Sequence, residues 1–309
     1  MTQAFCPGHV SCIFQPSRSS DVASTGSRGV GIRLGLGARA SVLPAEGRTT
    51  VLIDGVASEA PVTRLVAEIL APDRAYEIRI EDELPVSQGF GMSAAGAVAT
   101  ALCIAEIEGL PRDEAMMAAH EADIRGGGGM GDVAAIAGDV PVPVRKAPGM
   151  PPWGVVEDAG IDLGRVSLLV LGPKMATGSV LSDPVRFESI CEAAGSAMKR
   201  FLEGPSADSL YRLSNEFSEE AGVEGQQVSE ALSALRSRGF RAGMCMLEQR
   251  VHRRPADGGP QAARPEDERI LVRPVRGACP HRSYSVNRTS SPSTSNSPIL
   301  APQSSQAWA

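Results

Sequence analysis

Residues 84–97 read Leu-Pro-Val-Ser-Gln-Gly-Phe-Gly-Met-Ser-Ala-Ala-Gly-Ala, and this stretch confines the chain to a small set of folds. A run with period-two alternation, Ala-Tyr-Glu-Ile-Arg-Ile-Glu at residues 75–81, leads into it, and an Ala-rich helical pattern over about residues 94–108 leads out. Gly89 and Gly91 let the backbone approach a ligand closely, and Ser93 opens the helix. The first N–H groups of a helix have no internal partner, so together with the helix dipole they form an anion site, most naturally for phosphate. A Gly-x-Gly alone could serve only turn geometry, with Ser93 an N-cap. The full string is neither G-x-x-x-x-G-K-[ST] nor G-x-G-x-x-G, because no Lys follows and the third Gly is misplaced.

A second segment carries chemistry. Residues 118–133 read Ala-Ala-His-Glu-Ala-Asp-Ile-Arg-Gly-Gly-Gly-Gly-Met-Gly-Asp-Val, a helix bearing Glu121 that runs into a Gly-rich turn presenting Asp132. Read alone, it is a surface helix closed by a flexible tetraglycine.

Taken together, the two segments resemble the GHMP small-molecule kinases. Residues 85–95 match that family's second signature, Pro-x-x-x-Gly-x-Gly-x-Ser-Ala-Ala, and the form with Gln88, Phe90 and Met92 is similar to its archaeal pantoate kinase branch. The resemblance implies that Pro85, Ser87, Gly89, Phe90, Gly91, Met92, Ser93, Ala94 and Ala95 surround the phosphates of ATP. It also implies that Ser93 and Glu121 hold Mg²⁺, and that Asp132, eleven residues after Glu121, takes the proton of the acceptor hydroxyl. The chemistry suits phosphoryl transfer, which needs a hard cation on oxygen ligands, N–H donors around the phosphates and a carboxylate orienting the nucleophile.

Residues 5–11 with 25–31 resemble the branch's N-terminal substrate segment, and residues 144–154 resemble its basic mid-chain segment. Pantoate is a small carboxylate with a primary hydroxyl, and Arg28, Arg145 and Lys174 are the candidates to meet the carboxylate. His9, after the Pro7-Gly8 turn, is read either as a substrate contact or as a structural hydrogen-bonding group. His120, beside Glu121, points to another helix face and is read as structural.

Other features bound the class. The six cysteines and four histidines show neither C-x-x-C pairing nor clustering, so no zinc site or disulfide framework is expected. The N-terminus is no secretory signal, no apolar run reaches the roughly 20 residues of a membrane helix, and a cytoplasmic protein with no membrane partner is expected. Net charge is −6 with only three Lys, and residues 247–309 hold nine Arg against five acidic residues, which leaves an acidic body unsuited to nucleic acid.

Periodicity predicts strands over residues 29–36, 49–53 and 166–171. It predicts helices over residues 62–70 and 111–124, and near 184–203, 206–221 and 225–236, a mixed order that reads as α+β. The resemblance implies a two-domain α+β GHMP kinase fold. Residues 1–150 would form the ATP-binding domain, like the second domain of ribosomal protein S5, and residues 151–247 a ferredoxin-like C-terminal domain.

The resemblance covers about residues 4–246 and stops abruptly, where Arg and Pro begin to dominate. In another frame, codons for residues 248–254 can spell Asn-Ser-Val-Phe-Thr-Ala, close to what the family places there. Residues 248–309 thus read as an anomalous, largely disordered tail, from either a frameshift or genuine divergence. Loss of a strand there would disrupt the C-terminal domain by leaving neighbouring backbone unpaired.

The implied activity is ATP-dependent phosphorylation of (R)-pantoate to 4-phosphopantoate, toward coenzyme A in archaea, with ATP and Mg²⁺ as cofactors and a homodimer left open. The alternatives are a GHMP kinase acting on a homoserine- or mevalonate-like alcohol, and a nucleotide-binding pseudoenzyme.

Overall fold

The computed structural model describes residues 1–170, 183–245, 250–255 and 283–286. Its first half is built on one long strand. β2 (Gly26–Ala45) takes β1 (Thr2–Ser17) antiparallel along one edge, and β5 (Ala75–Asp82) and β6 (Pro143–Ala147) share the other. β3 (Thr50–Ile53) runs parallel to β5, β4 (Val56–Ala57) pairs with β3, and β7 (Val155–Asp158) closes the far edge beside β6. The seven strands form one sheet. Residues 143–147 are therefore a strand of this sheet, and β7, past residue 150, belongs to the same sheet.

Helix α2 (Met92–Glu108) packs on the sheet, α1 (Pro61–Leu70) and α3 (Arg112–Arg125) pack on α2 and on each other, and the short α4 (Asp132–Ala137) lies against β1, β2 and β6. α2 is the centrepiece. Its Ala and Gly residues let strands and helices close on it from all sides, and twelve of its residues are buried. A helix apolar all round belongs in a core. α1 shows the opposite pattern, with Val62, Thr63, Val66 and Ala67 buried at helical spacing on one face.

The second half begins with β8 (Val166–Val170) and continues through α5 (Pro184–Glu203), α6 (Ala207–Glu220) and α7 (Gln226–Arg236) to β9 (Phe240–Met244). α5 starts under Asp183, whose carboxylate accepts from the Val185 and Arg186 N–H groups, and a Ser206–Ser209 capping box starts α6. β10 (Arg250–Pro255) lies between β8 and β9, antiparallel to both, and β11 (Ser283–Val286) pairs with β8 on the outer side. The order β11-β8-β10-β9 is the 4-1-3-2 arrangement of a ferredoxin-like sheet.

The sheet keeps its inner strand, supplied by residues 250–255, and residues 283–286, read as part of a disordered run, add an edge strand. Ladder hydrogen bonds are made by main-chain groups, so a sequence without apolar alternation can still fill a gap between two strands. The rest of residues 246–309 lies outside the described residues.

The two halves share one hydrophobic core. Phe14 of β1 meets Phe217 of α6 edge-to-face at 6.0 Å, a geometry worth about 0.5–1.5 kcal/mol beyond area burial. Gln15 donates to the Cys191 carbonyl at 3.0 Å, tying the same strand to α5.

Candidate active site

A cleft of about 710 Å³ opens between the N-terminus of α2, the residues before α1 and the glycine turn after α3. That volume is within the range of small-molecule sites, about 300–1,000 Å³. Of the expected phosphate loop, Ser87, Gly89, Gly91, Met92, Ser93 and Ala94 line it, whereas Pro85, Phe90 and Ala95 do not. The differences have local causes. Gly91, at φ 63°, is the N-cap of α2, so the helix begins at Met92 and Ser93 sits in its first turn rather than capping it. No side chain caps this end. The Ala95 N–H is already spent on the Gly91 carbonyl at 2.9 Å, which leaves the first-turn N–H groups at the cleft wall for an anion. Phe90 is buried, and its carbonyl accepts from the His9 N–H at 2.9 Å.

That last bond links the loop to β1. The pairing of β1 with β2 slips between Pro7 and His9, where the Pro-Gly pair makes a bulge rather than a turn. Bulges re-aim side chains, and here His9 is turned toward Asp132. Its Nδ1 lies 2.7 Å from Asp132 Oδ1, and its Nε2 lies 3.4 Å from Arg145 Nη1. Arg can only donate, so Nε2 accepts and Nδ1 carries the proton given to Asp132. Burial, the dominant cause, holds the His9 pKa below its ordinary value and keeps the ring neutral, as this tautomer requires. Arg145 is fully buried, donates also to Ser11 Oγ at 3.2 Å, and has its pKa lowered by desolvation to about 10, which leaves it cationic. A chain Arg145–His9–Asp132 thus holds the carboxylate in place. Gly31 makes room for it, since a Cβ there would overlap the His9 ring.

Asp132 is the first residue of α4 and lines the cleft with a fifth of its side chain exposed. Of the acidic residues on α3, Asp123 lines the cleft and Glu121 does not. On α3, Met116, Ala119, His120 and Asp123 share the buried face, whereas Glu121 lies outside the cleft lining and pairs with Arg125 one turn on at 2.8 Å. Asp123 is 2 % exposed, and burial, with the charge of Asp132 beside it, pushes its carboxyl up to about 7. The Met130 N–H donates to it. A Cβ at Gly128 would overlap this carboxylate, so the glycine run is shaped around Asp123.

The remaining candidates lie elsewhere. His120 is buried and donates from Nε2 to the Val22 and Thr25 carbonyls at 3.1 and 3.0 Å, a structural role. Arg28 donates to the Lys146 carbonyl at 3.0 Å and to Gln15 Oε1 at 3.3 Å, and is absent from the cleft lining. Lys174 lies outside the described residues. Gln88 of the phosphate loop and Asp82, to which the sequence reading gave no role, also line the cleft.

Ser93, Asp123 and Asp132 offer only oxygen donors. Among the described residues no three His, Cys, Asp or Glu side chains gather as a ready metal cage. This fits Mg²⁺, which is usually held by one or two carboxylates with waters and substrate phosphates. A buried Asp123 repelled by Asp132 is also a carboxylate that a cation would relieve.

The chain is similar to known proteins. Residues 60–138 match the model of the GHMP kinases N terminal domain. A pantoate kinase of Thermococcus kodakarensis is 31% identical over 246 residues, 76% of this chain and 81% of that one. A pantoate kinase of Methanospirillum hungatei is 29% identical, covering 79% and 84%. A solved structure described as a phosphotransferase related to the CoA biosynthesis pathway superposes with a TM-score of 0.74 at 28% identity, covering 82% and 88%. The mevalonate kinase of Methanococcus jannaschii, at 11% identity and a TM-score of 0.61 over 94% and 98%, shares the fold. The chain belongs to the pantoate kinase family of the GHMP kinases.

Proposed function

We propose that this chain transfers the γ-phosphoryl group of ATP to the primary hydroxyl of (R)-pantoate, giving (R)-4-phosphopantoate and ADP on the way to coenzyme A. The observation that carries the reading is the convergence of the open N-terminus of α2, Ser93, Asp123 and Asp132 on one cleft, in a chain 31% identical to a pantoate kinase.

The roles follow from position. First-turn N–H groups of α2 bind the phosphates, and Ser93 with Asp123 would hold Mg²⁺, which when bound would neutralise charge on the phosphate oxygens. Asp123 takes the place first given to Glu121. Asp132, oriented by His9, accepts the hydroxyl proton as the oxygen bonds to the γ-phosphorus and the bond to ADP breaks. The pantoate carboxylate is met by Arg145 and Ser27. Arg145 Nε and Ser27 Oγ are buried without hydrogen-bond partners among the described residues, and both lie beneath Gly131, next to Asp132. Unpartnered buried donors cost about 1–3 kcal/mol each, and a carboxylate admitted by the glycine turn would satisfy both.

The test is ADP release from MgATP with pantoate, homoserine, mevalonate or no acceptor, on wild type and on Asp132→Asn. Pantoate-dependent turnover that falls at least 10³-fold in the variant, with ADP binding retained, is expected. Turnover with another alcohol alone rejects the substrate, and ATP binding with no turnover of any acceptor favours a pseudoenzyme.

A further inference from the structure

The phosphate end and the acidic residues account for only part of the cleft. The rest of its wall comes from Ile53 of β3, Ser58 before α1, Ile80 and Asp82 of β5, and Val86. Asp82 falls in phase with Tyr76, Ile78 and Ile80, whose side chains are buried in the core. Its position on that face at the strand's end turns an acid toward the cleft where the pattern calls for an apolar residue. Its backbone N–H is held by Asp54 Oδ1 at 3.0 Å, while its own Oδ1 is buried with no hydrogen-bond partner among the described residues. Burial and the nearby Asp54 push this carboxyl up to about 7.

A buried carboxylate oxygen lacking a donor cannot sit against phosphate, which would repel it. It needs an N–H or O–H group from whatever fills this end, and the walls around it, Ile53, Ile80 and Val86, suit a flat apolar body. We propose that this end of the cleft holds the nucleobase, and that Asp82 Oδ1 accepts from its exocyclic amino group, so that Asp82 selects adenine over 6-oxopurines. Guanine and hypoxanthine present a carbonyl oxygen at that position, which would face the carboxylate with no proton between them. A site built to receive a donor discriminates strongly against an analogue without one, because its buried acceptor is left unpaired.

The inference rests on the reading of the cleft as a nucleotide site, and its test does not require pantoate. The dissociation constants of ADP, IDP and 2′-deoxy-ADP are measured by calorimetry at pH 8, with Mg²⁺, for wild type, Asp82→Asn and Asp82→Ala. Wild type is expected to bind ADP at least tenfold tighter than IDP and to bind 2′-deoxy-ADP within about threefold of ADP. Asp82→Asn, whose amide can donate to a 6-oxo group, is expected to shift the ratio at least tenfold toward IDP. Asp82→Ala should weaken ADP without improving IDP. An unchanged ADP-to-IDP ratio in both variants overturns the proposal, and so does a wild-type preference for ADP over 2′-deoxy-ADP that vanishes in Asp82→Asn, since that places Asp82 on the ribose. Wild type that binds none of the three nucleotides overturns the nucleotide reading and this proposal with it. ADP binding that follows the proposal, with no turnover of pantoate, leaves the selectivity standing and rejects only the acceptor.

Discussion

Replacing Asp123 by Asn should stabilise the ligand-free protein at alkaline pH while removing its activity. The carboxyl is buried and its pKa is raised from 3.8 to about 7. A group whose folded pKa exceeds its unfolded one contributes most below the unfolded value, and that contribution is lost as pH rises through the folded value. From pH 4 to pH 8 the loss comes to about 4 kcal/mol, at ~1.4 kcal/mol per unit. Asn keeps the shape and still accepts from the Met130 N–H, but it carries no charge to desolvate. Water entering the glycine turn would take up part of the gain, leaving about 2 kcal/mol, or roughly 3 °C in Tm for a protein of this size. The assay is thermal unfolding from pH 5 to pH 8 in EDTA without nucleotide. At pH 8 the variant should melt higher. At pH 5, nearer the unfolded pKa, the gap should shrink by more than half. The variant retains a residual slope from Asp82, whose carboxyl is also raised to about 7. Equal melting at pH 8, or a variant that melts lower there, refutes the burial argument.

Other predictions follow from the same geometry. Glu121→Gln should leave kcat within about threefold in a steady-state ADP-release assay, because the Glu121 carboxylate is engaged with exposed Arg125 outside the cleft lining. Gly128→Ala should lower kcat at least tenfold with ADP affinity nearly kept, since its Cβ displaces the Asp123 carboxylate. Gly31→Ala should lower both Tm and kcat, because the added methyl overlaps the His9 ring that orients Asp132. Arg145→Lys should raise the KM for the acceptor more than that for ATP, measured with each substrate varied in turn, because Lys cannot reproduce the planar fork.

Much of this architecture was legible in the chain. The phosphate loop and its flanking strand and helix followed from glycine placement and from the change of period from 2 to 3.6, α3 from the proline that opens it and the glycines that close it, and α1, α5, α6 and α7 from their helical patterns. What stayed hidden depended on long-range pairing. Pro7-Gly8 looks like a turn in isolation, but β2 is long enough to carry β1 past it as a bulge. β6 and β7 lie in Pro- and Gly-rich sequence and exist because β2 offers an edge. β10 closes a gap between two strands with main-chain bonds that its side chains do not advertise. At the site, motif spacing pointed to Glu121 while the helical phase of α3 selected Asp123, and in the structure the phase decides which carboxylate faces the cleft. The Arg145–His9–Asp132 chain joins residues more than 120 positions apart, and no local pattern encodes it.

The most direct test of the account is to identify the product. Wild-type protein is incubated with MgATP and (R)-pantoate, and the mixture is followed by ³¹P NMR with mass spectrometry. The account predicts a phosphomonoester signal coupled to the methylene protons at C4 of pantoate, growing in step with ADP and absent with Asp132→Asn. ADP that appears with inorganic phosphate alone, or a phosphoryl group on the pantoate carboxylate, would contradict it.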